Sequence, residues 1–386
     1  MSEYQYYEFQ AVDRPLSDSE RGELRALSTR AQITATSFVN HYEWGDFKGD
    51  PARLMERYFD LFLYLANWGS RRFSMRLPKR MLDLADLEKF DVDSDVAAIR
   101  ATAEHLILDV YRDELDSEDW EDGSGRLAAL ASLRADILGG DLRVFYLIWL
   151  MGVEFDAVPD DAVEPLPGIA PLSASLEAFA DFFCIDADLV EAAASGGSAR
   201  PVGPPRSAVV DHIRGLDESE KVALLVRLYD GDDPYIAAEF RRRVKASVRT
   251  KDEAATTRRT VAELRNIAGR LAAERERAER ERAEAQHRRE EQQRSEAKKR
   301  RLDALSARGE APWRDVERMI ELRNSAGYEQ AVALLTDLRD LARIGNSPDD
   351  FGRRLGEILR RHEKKTRFRD LLMAAHLGGD PYAAPI

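Results

Sequence analysis

The chain is poor in the residues that ordinarily announce chemistry. It has one cysteine in 386 residues, which rules out an internal disulfide and any zinc site built on several cysteines. Its six histidines (His41, His105, His212, His287, His362 and His376) stand singly, none with a second histidine or a cysteine at metal-ligand spacing. The phosphate-binding glycine loops, the G-x-S-x-G nucleophile turn and the H-E-x-x-H zinc motif are all missing from the sequence. No catalytic residue, metal ligand or cofactor is therefore expected. Long apolar runs are missing as well. The two most apolar stretches, 58–68 and 144–153, fall short of the ~20 residues that span a bilayer. The opening MSEYQYYEFQ has neither the basic nor the apolar part of a signal peptide. The expectation is a soluble, cytoplasmic protein with no membrane partner. Cys184, in AFADFFCID, is expected to be a buried core thiol.

Charge is what the chain has in excess. Charged residues make up 33% of it, against about 25% in ordinary soluble proteins. The net charge of −13 is unevenly laid out. Residues 1–240 carry 23 Lys/Arg against 46 Asp/Glu, residues 241–301 carry 21 against 11, and residues 302–386 carry 14 of each. Such blocks bear on partners and self-association: an acidic front repels nucleic acid, and a basic middle attracts it or attracts the front itself.

The pattern predicts an α+β N-terminal domain with a small mixed sheet, followed by mostly α structure. Aromatic and β-branched runs at 4–13 and 33–42, and alternation at 71–78 and 105–114, predict four strands. Ser17 and Glu20 form a capping-box pattern for a helix to about residue 30. Asp50-Pro51 starts a second helix, on which Leu54, Tyr58, Leu61, Phe62 and Leu65 share a face up to Gly69. The order suggests a variant of the ferredoxin-like arrangement. After an acidic loop at 116–125, helical patterns run over 126–153, broken at Gly139-Gly140, and over 176–194; the four prolines between 158 and 173 read as a surface loop. The expected organisation is an acidic α+β domain with appended helices at 1–194 and a Gly/Pro linker at 195–206. A short helical segment (207–250) with Leu224, Leu225 and Leu228 on one face follows, then a long charged helix (251–308), a helical module (309–378) and a tail (379–386).

The long helix has an apolar repeat only at its start, Val261, Leu264, Ala268 and Leu271. A coiled coil needs such positions over three or four heptads. Glu276–Arg280, Glu284–Arg288, Glu290–Arg294 and Glu296–Arg300 lie at i,i+4 in the favourable orientation, each contributing about 0.2–0.5 kcal/mol. A solvated single helix packing at its two ends is the first expectation, a coiled-coil homodimer through this helix the second.

Two clusters stand out as candidate sites. His41, Glu43, Trp44, Asp46 and Lys48 fall in one turn-rich stretch at a strand end, with Asn67, Trp68, Arg71 and Arg72 at a second junction. As an interaction loop the polar residues would carry contacts; as a staple, Trp44 and Phe47 would fix the loop to the domain. Arg241, Arg242 and Arg243, with Arg360, Arg361, Lys364, Lys365 and Arg367 in a stretch seven-tenths basic, are candidate phosphate or nucleic-acid contacts.

The segments MSEYQYYEFQAVDRPLS, FVNHYEWGDFKGDPARLMERYFDLFLYLANWGSRR and WRDVERMIELRNSAGYEQAVALLTDLRDLA…RRHEKKTRF resemble an uncharacterised family of bacterial hypothetical proteins. The last segment also resembles the C-terminal region of some bacterial proteins with SWIM-type zinc fingers. The finger itself does not carry over, because its cysteines are missing, so the likeness implies a shared helical add-on. The functional expectation is a protein-interaction or scaffold protein with the charged helix as spacer. A nucleic-acid-associated protein using 241–301 and 360–369 is the alternative, and an enzyme with a site near 41–50 comes third.

Overall fold

The computed structural model describes residues 3–82, 84–90, 95–115, 121–196, 205–231, 233–249 and 258–377. Parts of the expected acidic loop (116–120), the Gly/Pro linker (197–204), the start of the charged helix (250–257) and the tail (378–386) lie outside the described residues. The chain forms two compact units, 1–275 and 276–386.

The first unit is built on β1 (Gln5–Gln10), α1 (Asp18–Leu27), β2 (Gln32–Ile33), β3 (Ser37–Tyr42), α2 (Pro51–Arg57), β4 (Leu61–Ala66), β5 (Arg71–Pro78), β6 (Ala97–Ala101) and β7 (His105–Arg112). These strands form a seven-stranded sheet in the order β2-β3-β1-β4-β5-β7-β6. It is larger than the sequence pattern suggests, and every pairing is antiparallel. Strand β1 lies between β3 and β4 and runs antiparallel to both, so β3–α2–β4 is a crossover split by one strand. That feature is shared with ferredoxin-like sheets; the run β4-β5-β7-β6, in which β7 inserts between β5 and β6, is not.

Local signals set the first helices. Ser17 and Glu20 close the capping box of α1 in both directions. Asp50 accepts from the amides of Ala52 and Arg53 to start α2, with Pro51 in its first turn. The expected helix does not continue through residues 61–65: after Arg57 the chain turns, and Leu61–Ala66 is a central strand between β1 and β5. A strand covered on both faces reads as a continuous apolar run, which has no period of its own to distinguish it from a helix. Leu61, Leu63 and Leu65 face one core, and Phe62 faces the other.

The two cores make three layers. One sheet face packs Phe9, Phe38, Phe62 and Ile107 against Leu24 of α1 and Leu54, Met55, Tyr58 and Phe59 in and after α2. The other packs Leu63, Phe73, Met75, Leu108 and Val110 against α3 (Arg126–Leu130), α4 (Ser132–Leu138), α5 (Arg143–Glu154), α6 (Ala174–Phe182) and α7 (Ala187–Ala194). Full burial of each such side chain contributes about 1.5–3 kcal/mol. Cys184 is exposed, contrary to its apolar neighbourhood in sequence. It occupies the left-handed position that ends α6 (φ 49°), with Cys184 N bonded to Asp181 O and Ile185 N to Ala180 O. This Schellman turn swings the thiol outward while Phe182, Phe183 and Ile185 stay buried.

Helices α8 (Arg206–Gly215), α9 (Glu218–Asp230) and α10 (Ile236–Arg249) complete the unit with the start of α11 (Val261–Ser306). At 46 residues α11 is roughly 70 Å long. Thr260 and Glu263 cap it reciprocally, and Val261 and Leu264 enter the core beneath α5–α7. From 276 to 301 only Ala278 and Ala285 are half-buried, and the other residues are exposed. Two of the expected pairs, Glu276–Arg280 and Glu296–Arg300, are formed.

The second unit packs the end of α11 with α12 (Ala311–Glu321), α13 (Ser325–Ile344), α14 (Pro348–Arg361) and α15 (Thr366–Ala374). Its core joins Leu305, Val316, Ile320, Leu335, Leu355, Ile358, Phe368 and Leu372. Lys298 and Arg301 of α11 pair with Asp340 and Asp337 of α13.

Candidate functional site

The richest side-chain constellation lies where α9 and α10 meet the turn after β5. Its base is a buried polar network. Asp60, 1% exposed, accepts from Arg76 Nε and Nη2 at 3.1 and 2.8 Å and from the amides of Val12 and Asp13 at 2.7 and 3.0 Å. Burial opposes its ionisation, yet the Arg76 and Arg134 guanidiniums and the two amides hold the carboxyl below the usual aspartate range. Arg134 forks onto both oxygens of Asp13 at 2.8 and 2.7 Å and donates to the Tyr235 hydroxyl at 3.1 Å. Tyr235 in turn donates to Asp13. Two guanidiniums lie over its ring, Arg80 at 5.3 Å and Arg134 at 5.6 Å from the centroid. Burial and Asp13 push the phenol up to about 12.

Above this network opens a cleft of about 690 Å³ lined by Arg80, Arg227, Arg242 and Arg243. Asp233 accepts from Arg80 at 2.7 and 3.2 Å and from Arg227 at 2.5 Å, while Glu239 holds Arg227 at 2.8 Å. Arg80 and Arg227 hold the Asp233 carboxyl well below the usual range. Arg242 donates to the Met81 carbonyl, with Asp86 at 3.9 Å, and Arg243 pairs with Glu220 at 3.1 Å. Of the expected basic run, Arg242 and Arg243 thus enter one cleft and Arg241 is exposed outside its lining. Arg80, Arg227, Asp233 and Glu239 had no motif in the sequence.

Helix α9 is inside out. Its half-buried side carries Glu220, Leu224 and Arg227. Its outward side carries Val222, Leu225, Val226 and Tyr229 at i, i+3, i+4 and i+7, with Leu228 beside them, between 51 and 91% exposed. Ile213 of α8 is also exposed. Leu225 and Leu228 are therefore surface residues, and neither α8 nor α9 has a buried residue.

The loop at 43–50 divides its work differently from either reading of the sequence. Phe47 is the staple, with its ring 5.2 Å from Tyr7 and 5.7 Å from Phe38. Gly49 allows this: a Cβ there would lie 2.5 Å from the Phe47 ring. Trp44 is not a staple; it is 71% exposed, with Arg30 5.9 Å over its ring. Asp46 accepts from Gln5 Nε2 at 3.2 Å, while His41, Glu43 and Lys48 are exposed. Tyr4 links this loop to the second junction, stacking on His41 at 6.3 Å and exchanging hydrogen bonds with Asn67. Arg71 and Arg72 point elsewhere, to Phe182 O and Asp109.

In the second unit Arg361 pairs with Glu317 and Lys365 donates to Ile320 O, closing the end of α12. Arg360, Lys364 and Arg367 are exposed and make no ion pair among the described residues. Among the described residues no three His, Cys, Asp or Glu side chains are grouped to hold a metal ion, and no helix is long and apolar enough to cross a membrane.

The fold and these surfaces define a two-unit α+β protein with an arginine-lined cleft and an outward apolar helix in its first unit. No protein-family model matches the chain, and neither a curated protein nor a solved structure is significantly similar to it.

Proposed function

We propose that the chain is a protein-interaction scaffold that pairs with a second copy of itself through the outward face of α9, with α11 as the spacer to its C-terminal module. The observation that carries this reading is the reversed polarity of α9: Glu220 and Arg227, which make its ion pairs to α10, face the protein, and its large apolar residues other than the half-buried Leu224 face out. A surface helix ordinarily does the opposite. The six exposed side chains of α8 and α9 present on the order of 600 Å² of apolar surface, at the upper end for the largest patch of a monomer. Two such faces set against each other about a two-fold axis remove roughly 1,200 Å², the lower bound for a specific interface. The apolar start of α11 does not compete, because Val261 and Leu264 already lie in the first unit's core.

Sedimentation equilibrium of the full chain tests this. The wild type should dimerise with concentration, and Leu225→Glu with Tyr229→Glu should be monomeric with an unchanged melting temperature. A wild type that stays monomeric at the highest reachable concentration sinks the proposal, as does a variant that still dimerises.

A second reading, nucleic-acid association, draws on Arg360, Lys364 and Arg367, exposed and free of carboxylate partners among the described residues. On this reading the full chain binds duplex or RNA with a steep inverse salt dependence. Changing these three residues to Gln weakens binding uniformly across sequences. Absence of binding at low salt removes this reading.

A further inference from the structure

We propose that the arginine cleft of the first unit is a binding site for a small, phosphate-rich anion of the pyrophosphate class. The argument rests on charge, shape and preorganisation, and is independent of what covers α9. Among the described residues four guanidiniums line the cleft against two carboxylates, Asp233 and Glu239, a surplus of two positive charges in that lining. The remaining acidic partners keep much of their contact with water: the Glu220 side chain, on the half-buried side of α9, is 44% exposed and Asp86 is 59% exposed, the latter 3.9 Å from Arg242. Exposed pairs of this kind contribute little and yield to a better anion. A phosphoryl group offers three oxygens and about two charges, and a guanidinium grips it with two parallel N–H bonds.

The arginines are set in place beforehand. Arg80 lies against the Tyr235 ring and forks onto Asp233, Arg227 is tied to Asp233 and Glu239, and Arg242 is fixed by the Met81 carbonyl. Arg242 and Arg243 have the most unused donors and supply the direct contacts; Arg80 and Arg227 supply the field. The cleft's volume of about 690 Å³ suits a small ligand. Its described lining selects against a bulky apolar one, since among the described residues Met81 is the only apolar side chain there and none carries an aromatic ring. A nucleobase would find nothing to stack on, whereas pyrophosphate or a polyphosphate needs no such surface.

Isothermal titration of the full chain with sodium pyrophosphate, against sodium chloride of equal ionic strength, tests the site. Saturable binding with one pyrophosphate per chain is expected. It should weaken at least about tenfold in Arg242→Gln with Arg243→Gln, and persist in Arg360→Gln with Arg367→Gln. A wild type without saturable binding overturns the proposal, and so does a loss shared equally by both double variants. Should the cleft variant unfold, arginine modification by phenylglyoxal reads the same question on the wild type by mass spectrometry. Pyrophosphate should slow modification of Arg242 and Arg243 severalfold while leaving Arg360 unaffected; unchanged rates at the cleft rule the site out.

Discussion

The guanidinium of Arg259 lies across the carboxylate of Glu164, Nε 3.0 Å from one oxygen and Nη2 2.8 Å from the other. The Arg259 amide and the Tyr146 hydroxyl donate to the same carboxylate at 2.9 and 2.6 Å. Glu164 is 1% exposed, so the proline-bearing stretch around it is partly interior. Arg259 immediately precedes the capping residue of α11, and its remaining donors reach the carbonyls of Ala192 and Ala193 at the end of α7. One buried pair therefore ties the start of the charged helix to α5 and α7. Glu164→Ala leaves a buried cation uncompensated, and should lower the unfolding free energy of the first unit by about 3–5 kcal/mol. Urea unfolding followed by near-UV circular dichroism checks this; a change within 1 kcal/mol of wild type would show the pair to be dispensable.

How far the fold was legible follows from where the signals were local. The caps at Ser17 and Asp50 and the strand at 71–78 each depend on residues a few positions apart, and each is found as read; the run at 33–42, read as one strand, is divided between the end of β2 and β3, which pair with each other. Strand β4 was misread because its burial on two faces depends on β1 and β5, distant in sequence. Cys184 was misread because one left-handed residue reverses the direction its neighbours imply. The cleft was half legible: Arg242 and Arg243 stood in a basic run, but Arg80 reaches them only through the packing of α10 against the sheet-side helices. The outward face of α9 was invisible, since an apolar stripe on a helix ordinarily marks a core.

Asp60 makes the first unit acid-sensitive in a defined direction. Its folded-state carboxyl titrates below the usual aspartate range, so the unfolded state binds the proton first as pH falls. The stabilisation is complete well above the unfolded value of about 3.9 and is lost as pH drops through it toward the folded value. Asp60→Asn should cost about 3 kcal/mol at pH 7, by stranding the buried Arg76 guanidinium, and progressively less toward pH 3. Denaturation midpoints of both proteins across pH 3–7 test this; a gap that stays constant with pH would assign the network's stability to something other than the Asp60 charge.

The loop after β3 separates an anchor from an exposed ring. Phe47→Ala removes contacts to Tyr7 and Phe38 and should destabilise by about 3 kcal/mol. Gly49→Ala should do so as well, because its new methyl meets the Phe47 ring. Trp44→Ala should stay within about 0.5 kcal/mol of wild type, being largely exposed. Thermal melts of the three variants order them; a Trp44 change as costly as the Phe47 change contradicts this division.

The charged helix should show two kinds of stability along one continuous rod. Residues 262–274 are held by Val261, Leu264 and the pairs of Arg265 with Asp156 and Asp160 and of Arg275 with Asp188. Among the described residues, 278–296 have only the helix's own hydrogen bonds and surface pairs such as Glu276–Arg280. Each such pair is worth about 0.2–0.5 kcal/mol, and at 1 M salt the screening length falls to about 3 Å. Hydrogen exchange on the full chain should therefore find the amides of 278–296 exchanging much faster than those of 262–274, because local fluctuations open them without unfolding a core. Raising the salt should accelerate the middle segment and leave the packed segment nearly unchanged. Equal protection of both segments would mean that something covers the middle of the helix, as a coiled-coil partner would, and would move self-association from α9 to α11.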